Sequence, residues 1–417
     1  MALQTGYQFE TFEAITDNYL ELEHCIKSII EKEKYVSYNV KTKVFTPDGG
    51  GSYLGILCKV DIEGETTTDK KETNIFMKII TPGAQMTILS LPDVYKNEMF
   101  VYKELSLIYS KLQNEVEIPM QEKYKFVKSY EESNANVIIL ENMSKKDFKT
   151  NFRKDVITLQ YAEMAIAEMA KFHALSFILE TKQPKYFERK IKTIKATFSF
   201  DEDWDGFVQN MCQITLNYLD EDSRRKLEDF IPSFTKKYRK YSEGSSGKLC
   251  LRHGDFRPNN ILVKEINGVV SEMIPIDYQL VCYGCPALDV IFFIFSSTDQ
   301  KFRRSHMLYL KELYYESLKR FLKYFSLDVS SIYPKTEFER DLKSMMDYGL
   351  MTAILMMPLL MASDNDVDIT REPLAGLSLN VDDLLKDRLV GIVQDFIEWG
   401  YFIAQVQAAD KISDRGS

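Results

Sequence analysis

The amino-acid sequence predicts an α+β protein of two lobes, in which a small β-rich N-terminal lobe precedes a larger helical C-terminal lobe. At 417 residues the chain is too long for one ordinary hydrophobic core. Its first third carries short β-rich stretches around a glycine cluster, whereas most segments from Thr158 onward have helical spacing. We place the lobes at residues 1–141 and 142–417, because the pattern changes after Glu141.

The N-terminal lobe reads as a sheet with one helix. "NVKTKVFTPDGGGSYLGILCKVDIEGE" contains two β-rich stretches joined by glycines, and "ETNIFMKII" is a third strand that ends near Lys78. "DVYKNEMFVYKELSLIYSKL" has helical spacing, with Glu98 beside its apolar face. "YKFVKSY" and "NVIILEN" then return to strand character.

The C-terminal lobe reads as a series of helices with one β-rich exception. "LQYAEMAIAEMAKFHALSFIL" is a long helix candidate, and four further helical segments follow it. The exception is formed by "NNILVKEI" and "VVSEMIPID", which flank Asn267-Gly268. This dipeptide strongly favours a two-residue turn, so the sequence predicts a β-hairpin here.

Composition and charge narrow the classes of partner. The formal net charge of −9 argues against a nucleic-acid surface, which needs a basic excess. An anionic small ligand stays possible, because one lysine and a few backbone N–H groups can hold phosphates on an acidic protein.

No segment predicts a membrane span or a secretory signal. The longest apolar run, Leu350 to Ala362, is too short to cross a bilayer, and Pro358 interrupts it. The N-terminal residues lack a basic region followed by an apolar one. The lone Cys282–Cys285 pair is more typical of reduced thiols than of a zinc site. We therefore expect a cytoplasmic protein without a membrane span, and a monomer.

The strongest chemical signal lies in "LRHGDFRPNNILV" and the strand that follows it. Asp255 stands two residues after His253, and Asn260 follows Asp255 by five residues. The predicted hairpin returns Asp277 to the neighbourhood of Asn260. Phosphoryl transfer needs a carboxylate near the acceptor hydroxyl and oxygen ligands for Mg²⁺. Asp255 fits the first requirement, and Asn260 and Asp277 fit the second.

Two weaker signals fit the same chemistry. Lys78 lies inside an otherwise apolar strand. Two interpretations of this lysine are equally good: its ammonium could bind the phosphates, or it could be an edge-strand lysine whose ammonium reaches solvent. Glu98, on the following helix, could pair with it. The glycines from Gly50 to Gly55 would let backbone N–H groups approach phosphate oxygens, although such glycines alone are more often an ordinary turn.

The sequence resembles the ecdysteroid kinase-like family of insects, also called CHK kinase-like. This family belongs to the aminoglycoside phosphotransferase and choline kinase branch of the protein-kinase-like fold. The segments that carry the resemblance are "LRHGDFRPNNILV", "PIDYQLVCYGCPALDVIFFIFSST" and "YGLMTAILMMPLLMASDN". The likeness extends over roughly residues 35–402, and it implies the two-lobed protein-kinase-like fold and ATP as a substrate.

The resemblance implies a role for each matching residue. Asp255 matches the catalytic base, and Asn260 and Asp277 match the Mg²⁺ ligands. The residues that match ATP-binding positions are Gly50, Gly51, Ser52, Gly55, Lys78, Glu98, Glu141 and Met143. The last two belong to the hinge, whose backbone would hydrogen-bond adenine. His253 and Asp289 match positions that support the catalytic loop.

The sequence departs from the pattern at three places. Tyr278-Gln279 stands where protein kinases have Phe-Gly, Gly55 replaces an expected serine, and Arg257 stands where many members have an aromatic residue. The first departure is normal for this branch. The other two bear on how the acceptor fits.

The function favoured by these observations is an ATP- and Mg²⁺-dependent kinase for a hydroxyl of a small apolar molecule. The resemblance makes an ecdysteroid, or another steroid or phenolic xenobiotic, the first acceptor to test. The methionines of the 350–362 segment are most simply core, and an adaptable apolar wall is the second interpretation. A choline- or aminoglycoside-type kinase is an alternative, for which residues 200–205 would supply acidic charge if they were not a solvated loop. The second alternative function is a pseudokinase-like protein that binds its ligand without phosphorylating it.

Overall fold

The computed structural model describes residues 6–9, 19–45, 55–80, 88–151, 155–243, 247–361, 376, 379 and 382–402. Gly50, Gly51 and Ser52 of the predicted nucleotide loop lie outside these residues. The described chain forms two lobes, a β-sheet lobe followed by a larger helical lobe, which confirms the predicted architecture.

The N-terminal lobe is built on a five-stranded sheet. Its strands are β1 (Gly6–Phe9), β2 (Ser37–Phe45), β3 (Ile56–Glu65), β4 (Lys70–Ile79) and β5 (Val137–Glu141). They lie side by side in this order, antiparallel except for the β1–β2 pair. Helix α1 (Tyr19–Lys32) packs its apolar face on the sheet. The alternating burial along β3 and β4 reflects the two-residue period of a strand.

The predicted helix that carries Glu98 is present over its whole length, with one distortion inside it. α2 (Leu91–Phe100) runs through one π-helical turn, Val101–Leu105, into α3 (Ser106–Asn114). The predicted strand "YKFVKSY" is not a strand in the structure. This segment is extended, and a single bridge joins Ser129 to Leu140 at the free edge of β5.

The described part of the helical lobe contains two small sheets. β8 (Ile261–Ile266) and β9 (Val269–Pro275) form the predicted hairpin, and β6 (Phe148–Lys149) pairs with β8. β7 (Cys250–Arg252) pairs with β10 (Cys282–Gly284), and the chain leaves β7 into the segment of His253 and Asp255. The turn residues Asn267 and Gly268 both have positive φ, as a tight hairpin turn requires.

Eleven described helices make up the rest of the molecule. They are α4 (Leu159–Lys182), α5 (Pro184–Lys190), α6 (Glu202–Leu216), α7 (Glu221–Phe230), α8 (Phe234–Ser242), α9 (Ala287–Ser297), α10 (Gln300–Tyr324), α11 (Val329–Ile332), α12 (Lys335–Ser344), α13 (Asp347–Met361) and α14 (Asp383–Glu398). Within the described ranges, no helix is both long and apolar enough to cross a bilayer.

The structure decides between the two interpretations of the methionine segment and shows what the acidic segment 200–205 forms. α13 is the Pro-containing methionine segment, and Met351 and Met357 are buried in the main core, as the simpler interpretation predicted. The acidic segment 200–205 is not a loop. Asp201 caps α6 by accepting a hydrogen bond from the Trp204 N–H, and the acidic residues after it complement the positive end of the helix dipole.

Candidate active site

The Lys78 ammonium lies at the junction of the two lobes. In the register of β4, Lys78 stands opposite Leu57 on one side and Ile138 on the other, so its stem is surrounded by buried strands. Its Nζ contacts Glu98 Oε2 at 2.9 Å, Asp277 Oδ1 at 2.7 Å and Gln279 Oε1 at 3.0 Å. An ammonium has three N–H donors, so these three oxygens satisfy it completely.

Burial and charge oppose each other in this cluster. Burial alone lowers the pKa of Lys78, but the carboxylates of Asp277 and Glu98 outweigh it and raise the pKa above its ordinary value. Burial likewise raises the pKa of Glu98, and the lysine ammonium opposes this shift. Lys78 therefore stays charged.

The β8–β9 hairpin brings Asn260 and Asp277 to the same end of the molecule. Ile261 pairs with Pro275 in the ladder, and the Ile276 N–H donates to the Asn260 carbonyl at 2.9 Å. Asp277 follows immediately, with φ at 65° and ψ at 61°. A residue with a Cβ seldom adopts this left-handed conformation, and such strain is typical of functional loops.

The Asp255 carboxylate is held at both of its oxygens. Its Oδ1 accepts a hydrogen bond from Arg257 Nε at 2.9 Å, and its Oδ2 accepts one from Asn260 Nδ2 at 2.7 Å. Burial raises the pKa of Asp255, and the Arg257 guanidinium acts against that rise. The position of the carboxylate is thus set by neighbours on the same short loop.

A buried carboxylate, Asp289 at the start of α9, supports this loop from below. It accepts the backbone N–H groups of His253 at 2.6 Å and Gly254 at 3.2 Å. His173 of α4 contacts the same carboxylate at 3.1 Å. His173 is therefore one step removed from the catalytic loop, and its partner is the carboxylate that holds the loop. Asp289 itself is completely buried.

His253 joins the loop that carries Asp255 to the segment that carries Asp277. Its Nε2 lies 3.1 Å from the Ile276 carbonyl, and its Nδ1 accepts the Asp255 N–H at 3.4 Å, so the ring carries its proton on Nε2. Burial lowers the pKa of His253 and keeps the ring neutral. Gly254 has φ at 80°, and a Cβ there would lie 2.1 Å from the Leu280 carbonyl oxygen. The two loops are in backbone contact at this glycine.

The predicted hinge lies at the end of β5. The Glu141 N–H already donates to the Lys128 carbonyl at 2.9 Å, so it is engaged inside the protein. Met143 begins a short 3-10 turn, Met143–Lys146, whose first N–H groups have no partner within the turn. Gly55 is tightly enclosed, since a Cβ there would lie 2.5 Å from the Tyr95 hydroxyl.

A small pocket of about 10 Å³, room for about one water molecule, lies beside the loop that carries Asp255. It is bounded by the loop itself and by the ends of α9, α13 and α14. The side chains that matter for its chemistry are Asp155, Arg257, Ser296, Ser297, Met357 and Arg388. Sequence reasoning missed this pocket, because its walls come from segments far apart along the chain.

The structure brings most of the predicted site residues together. Lys78, Glu98 and Asp277 form one cluster, and Asn260 links Asp255 to the hairpin that ends at Asp277. Gln279 was noticed only as a departure from protein kinases, and its contact with Lys78 was missed. The available signal was its position two residues after Asp277. Protein kinases have a glycine there, so a polar side chain at this position could have been expected to contact the site.

The donor set suits Mg²⁺ better than a transition metal. Within the described ranges, no cluster of three or more His, Cys, Asp or Glu side chains is placed to hold a metal ion. An amide and a carboxylate at the mouth of a hairpin are hard oxygen donors, and Mg²⁺ is usually held by one or two carboxylates together with substrate phosphates.

The fold and the site define the class of protein, a two-lobed kinase-like phosphotransferase that acts on hydroxyl groups of small molecules. Residues 49–327 match the family model described as the ecdysteroid kinase-like family, and the chain belongs to this family. Family membership implies the use of ATP. Among curated proteins, none matches the chain in sequence.

Several solved structures resemble the whole molecule at low identity. A choline kinase from Cryptosporidium parvum is 13% identical, with 91% of this chain and 97% of that chain covered and a TM-score of 0.47. A Plasmodium vivax ethanolamine kinase is 12% identical, with 93% and 90% covered and a TM-score of 0.44. A choline kinase from Streptococcus pneumoniae is 13% identical, with 90% and 99% covered and a TM-score of 0.40. At such low values the neighbours' substrates say nothing about the acceptor of this chain.

Proposed function

We propose that this chain is an ATP- and Mg²⁺-dependent kinase that phosphorylates a hydroxyl of a small apolar molecule, with an ecdysteroid or related steroid or phenolic compound as the first acceptor to test. The observation that supports this most is the cluster around Lys78. The buried Lys78 ammonium contacts Glu98 of the N-terminal lobe and Asp277 at the end of the hairpin, next to the loop that carries Asp255.

In the proposed reaction, a bond forms between the acceptor oxygen and the γ-phosphorus while the bond to the β-phosphate oxygen breaks. Asp255 orients the acceptor hydroxyl and takes its proton on the carboxylate. Lys78, fixed by Glu98, neutralises charge on the phosphates. Bound to Asn260 and Asp277, Mg²⁺ would neutralise the charge that develops on the phosphate oxygens. The protein contributes position and electrostatics.

The hinge and the glycines complete the proposed nucleotide site. The Met143 N–H and the Glu141 carbonyl are the backbone groups proposed to bind adenine. Gly50, Gly51, Ser52 and Gly55 are proposed to cover the phosphates.

The pocket beside Asp255 does not have the acidic character that a choline- or aminoglycoside-type kinase would need. A cationic acceptor would be stabilised by an acidic pocket. Here Arg388 stands against the carboxylate of Asp155, the guanidinium of Arg257 is paired with Asp255, and methionine side chains complete the lining. A pseudokinase-like binding protein is disfavoured for another reason, since such a protein would lack one or more essential groups. Lys78, Glu98, Asp255, Asn260 and Asp277 are all present.

The decisive experiment is a transfer screen with γ-labelled ATP and Mg²⁺ against ecdysteroids, other steroids, phenolic glucosides, choline and aminoglycosides. We expect labelled product from a steroid or phenolic acceptor. Asp255→Asn should reduce turnover by roughly 10³-fold or more while the protein stays folded. Asp229→Asn, an exposed change on α7, is the matched control. Wild-type turnover in Asp255→Asn would refute the proposal.

We further propose that the protein is a cytoplasmic monomer. All six cysteines are free and buried, as in proteins of a reducing compartment. Fractionation of cells and the elution volume of the purified chain would test the two statements.

A further inference from the structure

We propose that Tyr278 and Tyr124 are positioning residues of the site: their paired hydroxyl groups, buried between the lobes, hold Asp277 in the backbone conformation in which it presents its carboxylate to Mg²⁺. This inference rests on the proposed function, in which Asp277 binds Mg²⁺, and goes beyond it by assigning a role to two buried tyrosines. Asp277 has a left-handed backbone, with φ at 65° and ψ at 61°. A residue with a Cβ keeps this conformation only where the surrounding structure imposes it.

The side chain of Tyr278 closes a bracket around Asp277. Tyr278 follows Asp277 in the chain, and its hydroxyl donates a hydrogen bond back to the Pro275 carbonyl at 3.0 Å. Its completely buried ring is enclosed by four aromatic rings, those of Tyr102, Phe126, Phe172 and His253. Because the ring cannot turn freely, a change of φ or ψ at Asp277 would break the bond to Pro275. The bond therefore opposes relaxation of the strained residue.

The hydroxyl of Tyr124 completes the hydrogen bonds of Tyr278. The two hydroxyl oxygens lie 2.8 Å apart, and both side chains are buried. A carbonyl oxygen can only accept, so the Tyr278 O–H donates to Pro275 and the Tyr278 oxygen accepts from the Tyr124 O–H. Phenylalanine would fill the same space at either position, so packing alone does not require the two hydroxyls.

Tyr124 is itself fixed to the helix that carries Glu98. Gln113, near the end of α3, accepts the Tyr124 N–H at 2.7 Å and donates its amide N–H to the Tyr124 carbonyl at 3.1 Å. α3 continues α2, which carries Glu98, through the π-helical turn. The hydroxyl pair thus runs from this helix to the backbone beside Asp277. Lys78 joins the same two elements through its contacts with Glu98 and Asp277, so two links fix the carboxylate.

The test removes one oxygen atom at a time and measures how much Mg²⁺ strengthens nucleotide binding. Calorimetry gives the Kd of a non-hydrolysable ATP analogue with Mg²⁺ and with a chelator, and the ratio of the two values is the gain due to Mg²⁺. In Tyr278→Phe we expect this gain to fall about tenfold, the usual effect of losing a residue that orients a metal ligand. In Tyr124→Phe the bond to Pro275 stays, so the gain should fall only about threefold. Binding with the chelator should be nearly unchanged in both variants.

Tyr315→Phe is the matched control. Tyr315 of α10 is also buried, and its hydroxyl donates to the Tyr333 carbonyl at 3.1 Å within the helical lobe. All three variants should lose a few degrees of melting temperature, because each loses a buried hydrogen bond. The control should keep the wild-type gain, since a structural role alone lowers stability without changing the response to Mg²⁺.

Two results would overturn this inference and leave the proposed function standing. They are an unchanged gain in Tyr278→Phe, and a loss in Tyr315→Phe as large as that in Tyr278→Phe. If Tyr278→Phe does not fold, Tyr124→Phe decides, and an unchanged gain there overturns the inference. If the wild-type protein binds the analogue no better with Mg²⁺ than with the chelator, the proposed Mg²⁺-dependent function falls together with the inference.

Discussion

Two buried cations of this molecule have similar partners and different surroundings. Lys78 contacts Glu98 and Asp277, and the Asp277 side chain is 22% exposed. Arg303 of α10 contacts Asp395 of α14 at 2.9 Å, and both of these side chains are completely buried. The first cluster joins elements of two lobes and opens to solvent at one end. The second joins two helices of one lobe and is closed.

The difference in exposure predicts a difference in function. A closed ion pair cannot exchange its partners. Removing one of the two partners weakens the compensation of the charge that stays in the core. An open cluster can release one oxygen to an incoming phosphate or metal ion. Changes in the first cluster should therefore affect turnover, whereas changes in the second should affect stability.

The largest expected effect is on turnover in the open cluster. Asp277→Ala removes a proposed Mg²⁺ ligand, and we expect a loss of roughly 10³-fold in kcat, since charge on the phosphates would no longer be neutralised. Lys78 keeps Glu98 and Gln279 as partners, so the melting temperature should change little. Single-turnover transfer and thermal melting measure the two quantities. Full activity would contradict the role of Asp277.

The next effect is on stability in the closed pair. Arg303→Met removes the buried partner of Asp395 Oδ2, while Arg304 and Gln300 still contact Oδ1, and we expect the free energy of unfolding to fall by about 2 kcal/mol. Activity per folded molecule should be retained. Arg304→Met is the matched control, because Arg304 contacts the same carboxylate from a side chain that is 46% exposed, and its loss should cost less than about 1 kcal/mol. Equal losses in the two variants would show that burial does not decide the outcome.

A smaller effect is expected at Gln279, the neutral partner of Lys78. Gln279→Met keeps the size of the side chain and leaves one ammonium N–H without an acceptor in the nucleotide-free protein. A phosphate oxygen would satisfy that donor, so ATP with Mg²⁺ should bind about fivefold more tightly. Calorimetric titration of wild type and variant measures this. Weaker binding in Gln279→Met would contradict this, because it would mean that the amide helps to bind the nucleotide. The prediction requires that the amide only occupies Lys78 until a phosphate oxygen replaces it.

The smallest effect is the pH dependence that His253 contributes to stability. Burial lowers the pKa of His253 in the folded state, so below the unfolded value of about 6.5 the unfolded chain binds the extra proton. The stabilising contribution is present above that pH and is lost as the pH falls below it. Compared with wild type, His253→Gln should lose less stability between pH 7 and pH 5. Urea unfolding at both pH values tests this, and parallel losses would contradict it.

The sequence was sufficient for the architecture and for most of the candidate site. Two signals are local in the sequence: the spacing of His253, Asp255 and Asn260, and the turn at Asn267-Gly268. The hairpin formed at that turn brings its two ends close together. The segment around Ser129 was predicted as a strand, and it does lie along the edge of β5, but with one bridge only. How far such a segment pairs with a neighbouring edge is decided by the tertiary structure.

The small pocket beside the loop of Asp255 could not be predicted for a related reason. Arg257 was visible as an unusual residue, but Ser297, Met357 and Arg388 come from three different helices. No local pattern states which helix ends meet. The contact between Gln279 and Lys78 depends likewise on two residues about two hundred positions apart.

The backbone contact at Gly254 has a consequence for how this enzyme could be redesigned. The loop with Asp255 and the loop with Asp277 touch without any side chain between them, and Asp289 fastens the first loop to the core. The proposed phosphate chemistry thus occupies one rigid part, and the helix ends at Ser296 and Met357 lie outside it. Redesign is best directed at those helix ends, with both loops kept unchanged.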